Sequence, residues 1–264
     1  MNLKIVSFNL RSVWSKGDGV NCFIHRAGMI LDKIGQEQPD VICFQECIPT
    51  HADFLRKYLN GYTFVCNQRN ADYSGEGLAF AIKTGIIELY GLDVFWLSST
   101  PRVPGSRFEI QSKCPRICQC IMLRDIRSGK LFRIYNVHLD HISDSARILG
   151  IRQLLDYAAE RQKETELPLF ILGDFNALPD SETIKYCDGF EALPIVDLTS
   201  DTGGTWHNFG KPAQNAERIL PAKIDYIYTD KGTAGKPHTV ELWVEELNGI
   251  YLSDHYPVAL SIEL

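Results

Sequence analysis

Four apolar runs in this chain each close on a residue that chemistry can use, and that repetition constrains the fold more than any other feature of the sequence. Ile5-Val6-Ser7-Phe8 ends in Asn9, Val41-Ile42-Cys43-Phe44 in Gln45-Glu46, the segment from Phe132 to Val137 in His138, and Leu169-Phe170-Ile171-Leu172 in Gly173-Asp174-Phe175-Asn176. Short runs rich in β-branched and aromatic side chains read as buried strands. One such ending is only a strand entering a loop. Four of them imply strands whose ends converge on one rim, where ligand and catalytic sites commonly sit.

Helices fall between the strands. Phe23, Ala27, Ile30 and Ile34 recur at helical spacing, and Pro39-Asp40 ends that helix. A short helix is expected near Asp53 to Leu59, one from an N-cap at Ser143 to about Arg161, and one from Ser181 to Cys187. Ser128-Gly129 joins two strands as a hairpin, Ser98 to Pro115 reads as a long surface loop, and strands are expected at Ile224 to Thr229, Val240 to Glu246 and Tyr256 to Glu263. Strands interspersed with helices, plus a hairpin, give an α/β layered fold with mixed sheets, each half of the chain contributing one sheet. No repeat, low-complexity tract or linker divides residues 1–264, so a single domain is expected. A 45% hydrophobic, 23% charged composition excludes disorder and fibrous folds, and no apolar stretch is long enough to span a bilayer. Without a secretory signal pattern at the start, the expectation is a cytoplasmic monomer.

The eight cysteines are scattered, several inside apolar runs, and read as reduced core thiols; Cys114, Cys118 and Cys120 lack the paired spacing of a zinc site. The net charge of −6 opposes a polyanion globally. One segment, Arg102 to Arg133, carries eight basic residues against Glu109 and Asp125, and from it only Arg116, which opens a strand after Pro115, is a site candidate.

The C-terminal part adds Ile224-Asp225-Tyr226, an acid inside an apolar strand, and Ser253-Asp254-His255-Tyr256-Pro257 at a loop-to-strand junction. A buried Asp225 needs a donor, and a histidine is its natural partner. Asp174 and Asn176 are two apart, so an extended chain would send both to one face. The candidate set is then Glu46, Asp174, Asp225 and Asp254, the amides Asn9 and Asn176, and His138 and His255. Hard oxygen donors of this kind favour Mg²⁺ or Mn²⁺ over Zn²⁺.

Ser7-Phe8-Asn9, Gln45-Glu46, Asn136-Val137-His138-Leu139, Gly173-Asp174-Phe175-Asn176, Ile224-Asp225-Tyr226 and Ser253-Asp254-His255-Tyr256-Pro257 stand in the order of the motifs of the endonuclease/exonuclease/phosphatase family, the Mg²⁺-dependent phosphoesterases that include exonuclease III and deoxyribonuclease I. The chain resembles that family over nearly its whole length. Phe95-Trp96-Leu97-Ser98, Cys114-Pro115-Arg116, His138-Leu139-Asp140-His141 and Gly204-Thr205-Trp206-His207 resemble a single-domain bacterial subgroup. The resemblance implies a four-layer α/β sandwich, two packed mixed sheets flanked by helices. It implies metal binding by Glu46 with Asn9 and Asp254, water activation by Asp174, phosphate positioning by Asn176 and His138, and stabilisation of the phosphorane by His255 paired with Asp225. Arg116, His141, Glu76, Trp206 and His207 are candidate substrate contacts. Arg11 stands where exonuclease III-like enzymes carry an acid, and His138 where abasic-site enzymes carry a tyrosine; both depart from DNA repair. The expected activity is phosphodiester hydrolysis on a phosphate-ester substrate, with nuclease action on DNA or RNA as the alternative and a metal-binding scaffold without turnover as the non-enzymatic one.

Overall fold

The computed structural model describes residues 2–212 and 219–264. In chain order its strands and helices are β1 (Asn2–Asn9), α1 (Phe23–Glu37), β2 (Val41–Gln45), α2 (Pro49–Tyr58), β3 (Tyr62–Gln68), β4 (Gly77–Lys83), β5 (Ile87–Trp96), β6 (Ile117–Asp125), β7 (Leu131–His138), α3 (Asp144–Glu164), β8 (Leu169–Asp174), α4 (Glu182–Asp188), β9 (Ile195–Asp197), β10 (Asp225–Asp230), α5 (Lys231–Ala234), β11 (His238–Leu242), β12 (Glu246–Leu247), β13 (Ile250–Tyr251) and β14 (Val258–Glu263). Two six-stranded mixed sheets, ordered β11-β14-β1-β2-β4-β3 and β5-β6-β7-β8-β10-β9, carry the fold.

Period-two alternation turns these sheets into four layers. In β1, Leu3 and Ile5 face the second sheet while Val6 and Phe8 face α1 and α2; in β8, Phe170 and Leu172 face the first sheet while Leu169 and Ile171 face α3 and α4. Both faces of the central strands are therefore covered, which is why they read as continuous apolar runs. Each large side chain so buried contributes about 1.5–3 kcal/mol. The helices start where local chemistry says they should. Ser143 Oγ accepts the Ala146 N–H at 3.2 Å, an N-cap worth about 1 kcal/mol. Pro49 occupies the first turn of α2, so this helix begins ahead of the expected Asp53.

The expectation of one sheet from each half needs correction. β14 returns from the C-terminal part to pair with β1 in the first sheet, and β11 pairs with β14 at its edge. The strand expected from Val240 to Glu246 is instead β11 and the separate β12, which pairs with β13 in a small ribbon. Arg116 lies just ahead of β6 rather than in it.

Candidate active site

The same alternation that fills the core builds the site. On the face between the sheets, side chains run from apolar to uncharged polar to ionisable as each strand nears one rim. Leu3 and Ile5 are followed on that face by Ser7 and Asn9, Phe132 and Ile134 by Asn136 and His138, and Phe170 and Leu172 by Asp174. Gln45 donates to Asn136 Oδ1 at 2.8 Å and to Ser7 Oγ at 3.3 Å, and Asn136 donates to the Phe44 carbonyl at 3.0 Å. This amide layer pairs the amide nitrogens of Gln45 and Asn136, leaving Gln45 Oε1 without a partner among the described residues, and seals the core beneath the ionisable layer.

Strand direction does the rest. β1 and β2 run parallel, as do β7 and β8, so Asn9 ends opposite Gln45 and His138 opposite Asp174. β10 runs antiparallel to β8 and begins at Asp225, opposite Asp174. β14 is antiparallel to β1, which delivers Asp254 and His255, just ahead of it, to the same rim. Gly173 permits the close approach of β8 to β7: at φ +136, a Cβ there would stand 1.9 Å from the Val137 carbonyl oxygen.

Asp174 is the hub. Its Oδ2 accepts the Asn9 amide at 3.0 Å and lies 3.4 Å from His138 Nε2 and 3.8 Å from His255 Nε2, while Oδ1 accepts the Asn176 N–H at 2.8 Å. His255 Nδ1 meets Asp225 Oδ2 at 2.8 Å, and Thr205 Oγ1 donates to that same oxygen at 2.5 Å. Burial pushes the Asp174 carboxyl up to about 7, opposed by the charge of His255 and helped by that of Asp225. Burial draws His255 down, but the charge and hydrogen bond of Asp225, with Asp174 and Asp254, outweigh it and push the imidazole up to about 10. His138 goes the other way, held well below the usual histidine range by burial and then by Arg116 and Arg69.

Glu46 follows β2 at φ +55, where the chain turns out of the sheet. Its Oε1 accepts Asn9 Nδ2 at 3.2 Å and its Oε2 the Ser12 N–H at 2.7 Å. Burial opposes its charge, but Arg11, the Ser12 N–H, His255 and Asn9 together hold it below the usual carboxylate range. Asp254 is raised, by burial first, with His255 opposing and the charge of Glu46 adding to the rise. Arg11 lies 3.7 Å from it but is anchored to Asp18 at 2.9 and 3.2 Å. Two carboxylates at the cavity wall, the buried Asp254 raised by the partly buried Glu46, are a position that a hard divalent cation would relieve, with Asn9 Oδ1, which accepts the Arg11 N–H at 2.9 Å, as a further oxygen nearby. Asp174, Asp225 and His255 also place ligand atoms within 4.8 Å of one another. There, however, the Nδ1 of His255 is occupied by Asp225, and the imidazolium neutralises its neighbours, so the group is arranged as a hydrogen-bonded acid-base triad rather than a cage.

These residues open into a cavity of about 570 Å³. Glu46, Asp174, Asn176, Asp254, His138 and His255 line it, as do Glu76, Arg116, His141 and Trp206. Asn9 and Asp225 lie behind the wall, bonded to residues that form it. His207 does not line the cavity: the chain turns at this residue, at φ −115 and ψ −3, and its ring is buried against Tyr256, ring centroids 4.1 Å apart, while Trp206 lines the cavity. Asn176 arrives by a route other than the expected one, since β8 ends at Asp174 and a turn with Asn176 at φ +51 brings it round. Four other basic residues of the Arg102 to Arg133 segment are engaged elsewhere, Arg102 with Asp93, Arg124 with Glu88, Arg127 with Asp125 and Arg133 with Gln162. Sequence reasoning missed Ser12, Arg69 and Thr205; only Thr205 carried a signal, as the neighbour of Trp206.

The family described as Endonuclease/Exonuclease/phosphatase matches residues 6–255. An uncharacterized protein of Acanthamoeba polyphaga mimivirus is 23% identical over 283 residues, covering 99% of this chain and 100% of that protein. The crystal structure of an endonuclease/exonuclease/phosphatase from Bacteroides vulgatus superposes with a TM-score of 0.88 at 24% identity, covering 100% of this chain and 99% of the other. A mannosyl-6-phosphatase from Bacteroides thetaiotaomicron superposes with a TM-score of 0.82 at 23% identity, covering 99% and 100%.

Proposed function

The chain belongs to the endonuclease/exonuclease/phosphatase family, hydrolases of phosphate esters, and we propose that it is a divalent-metal-dependent phosphodiesterase working by direct attack of water. The observation that carries this reading is Asp174, buried, raised toward neutrality and set between two histidines. Asp174, held by the Asn9 amide, takes a proton from the attacking water, and Asn176 positions the phosphate. The His255 imidazolium, kept charged by Asp225, donates to the phosphorane oxygens as negative charge builds on them. His138, neutral, makes a second phosphate contact. The new P–O bond forms from the water as the ester P–O bond breaks, and the leaving oxygen takes a proton from solvent and departs as the alcohol, while Asp174 returns its proton to solvent. Glu46, Asp254 and Asn9 would hold Mg²⁺ or Mn²⁺, which supplies charge neutralisation at the phosphoryl oxygen when bound. Arg11 adds positive charge beside them in place of a further acid.

The lining favours a diester, because Trp206, whose backbone bridges to His255, and Arg116 and His141 line the cavity in addition to the residues around Asp174 and offer contacts to a second ester arm. A phosphomonoester is the second reading, favoured by the name of the Bacteroides thetaiotaomicron relative. The test is hydrolysis of a chromogenic phosphodiester and its monoester counterpart in EDTA, Mg²⁺ or Mn²⁺, with Asp174→Asn alongside. Metal-dependent cleavage of the diester, absent in the variant, is the expected result; cleavage of the monoester alone makes the protein a phosphatase, and silence on both counts against hydrolysis.

A further inference from the structure

Beyond His138 the cavity holds positive charge that the protein itself leaves unanswered. Arg116 is 4% exposed; its Nη2 meets His141 Nδ1 at 3.1 Å, its Nη1 stands 3.9 Å from Glu76 Oε2, and its Nε has no partner among the described residues. Glu76 is already committed, to Arg69 and, at 3.2 Å, to Ser12 Oγ. The Nε of Arg69 is likewise buried without a partner. Two guanidiniums therefore share one carboxylate.

Other buried arginines in this fold are treated differently. Arg26, 0% exposed, donates to the carbonyls of Asn21, Leu10 and Leu252, and Arg133 donates to Gln162 and the Thr165 carbonyl. Such arginines tie the backbone together and need nothing more. Among the described residues Arg116 has no carbonyl and no carboxylate within hydrogen-bond distance, and the chain next to it is tied in place. Asp140 accepts the N–H groups of Ile142 and Ser143 at 2.9 and 2.7 Å with one oxygen and that of Ser112 at 3.2 Å with the other, tying the segment ahead of Arg116 to the His141 turn. A buried cation left this way costs stability unless a ligand completes it.

We propose that Arg69, Arg116 and His141 bind a second anionic group of the substrate, a phosphate distinct from the one that is cleaved, so that the substrate class is an organic phosphate ester carrying at least one further phosphate. Calling the ligand a substrate rests on the hydrolytic reading above; the anion site does not. Guanidinium groups match phosphate oxygens in charge and geometry. The carboxylate that faces the arginines is a different one from the carboxylate beside Asn9: Ser12 donates its N–H to Glu46 and its hydroxyl to Glu76, and Glu76 faces both arginines. A cavity of about 570 Å³ has room for more than one phosphate group.

Titrating inorganic phosphate calorimetrically into the full chain in EDTA tests the site without turnover. One phosphate should bind, weaken at least about tenfold in Arg116→Met, and persist in Asp174→Asn. Arg69→Met should weaken it too, and Arg116→Lys should restore part of the loss, which separates lost charge from lost folding. No phosphate binding, or binding removed by Asp174→Asn but not by Arg116→Met, overturns the proposal. Phosphate binding as described in a protein without hydrolysis would leave the anion site standing and remove the enzymatic reading. For the substrate class, kcat/KM is compared on thymidine 5′-(p-nitrophenyl phosphate) with and without a 3′-phosphate. Arg116→Met should lower it at least about tenfold more for the 3′-phosphorylated ester, through KM. Equal losses would place Arg116 on the scissile phosphate and overturn the second-phosphate assignment.

Discussion

Two histidines approach the same oxygen of Asp174, at 3.4 and 3.8 Å, and their surroundings drive them to opposite charge states. On one side, Asp225 and Thr205 stand behind His255, and the imidazole is pushed up to about 10. On the other, Arg116 and Arg69 stand near His138, and the imidazole is held well below its ordinary range. Burial acts on both in the same direction, so neighbouring charge decides the difference. One wall of the cavity thus offers a cationic donor and the other a neutral contact backed by guanidiniums, a division of work that residue types alone do not reveal.

The hub of this comparison gives the largest expected effect. Asp174→Asn should cut turnover by roughly 10²–10⁴, as should Glu46→Gln, in line with loss of a base or a charge-stabilising group. Asp174→Asn should leave thermal unfolding near that of the parent, because it removes a buried carboxylate that burial disfavours. Near-normal turnover in a folded variant would break the assignment. Next in size, Asp225→Asn takes away the charge that keeps His255 protonated, and turnover should fall by about 10–10². In the metal-free protein the His255 ring proton signal should then titrate lower, toward the ordinary value of roughly 6.5. The sign for stability follows: a raised histidine stabilises fully below about 6.5 and loses that contribution as pH rises through about 10. The destabilisation by Asp225→Asn should accordingly be greatest at neutral and acidic pH and narrow above pH 10. A His255 titration unmoved by this change would uncouple the pair.

A smaller effect tests the opposite wall. Arg116→Met removes a charge that depresses His138, so the His138 signal of the metal-free protein should move upward. Because a depressed histidine costs stability as pH falls below its unfolded value, the variant should also lose less stability on acidification. An unmoved His138 would leave burial as the whole cause.

The comparison also shows where sequence reading reaches. Asn9, Glu46, His138 and Asp174 were legible because each ends an apolar run, and a strand buried on both faces can put such a residue only at its rim. Asp225 and His255 were legible as an acid in an apolar strand and an imidazole at a junction, although their pairing depends on β14 crossing back to the first sheet, which periodicity does not encode. Ser12 and Arg69 were not legible: they stand on loops, and what places them is a hydrogen bond to Glu46 and an ion pair with Glu76, contacts between segments distant in sequence. His207 misled because adjacency in sequence to Trp206 suggests a shared site, whereas the chain turns at His207 and stacks its ring on Tyr256.

The smallest expected effect separates a built site from mere local charge. Arg102 belongs to the same basic segment as Arg116, yet its side chain is 62% exposed and faces Asp93 at 2.6 Å. An exposed pair of this kind is screened by solvent and salt and contributes about 0–1 kcal/mol. Arg102→Gln should therefore shift the denaturation midpoint little and leave phosphate affinity in EDTA unchanged, at both low and high salt. If phosphate instead weakens as it does in Arg116→Met, the anion is held by the summed field of the segment, and the division between the two walls of the cavity loses its residue-level meaning. If only Arg116 and Arg69 matter, what distinguishes them from the seven other basic residues of the segment is removal from water with one carboxylate shared between them; Arg133 is buried too, but it donates to Gln162 and the Thr165 carbonyl and needs no ligand.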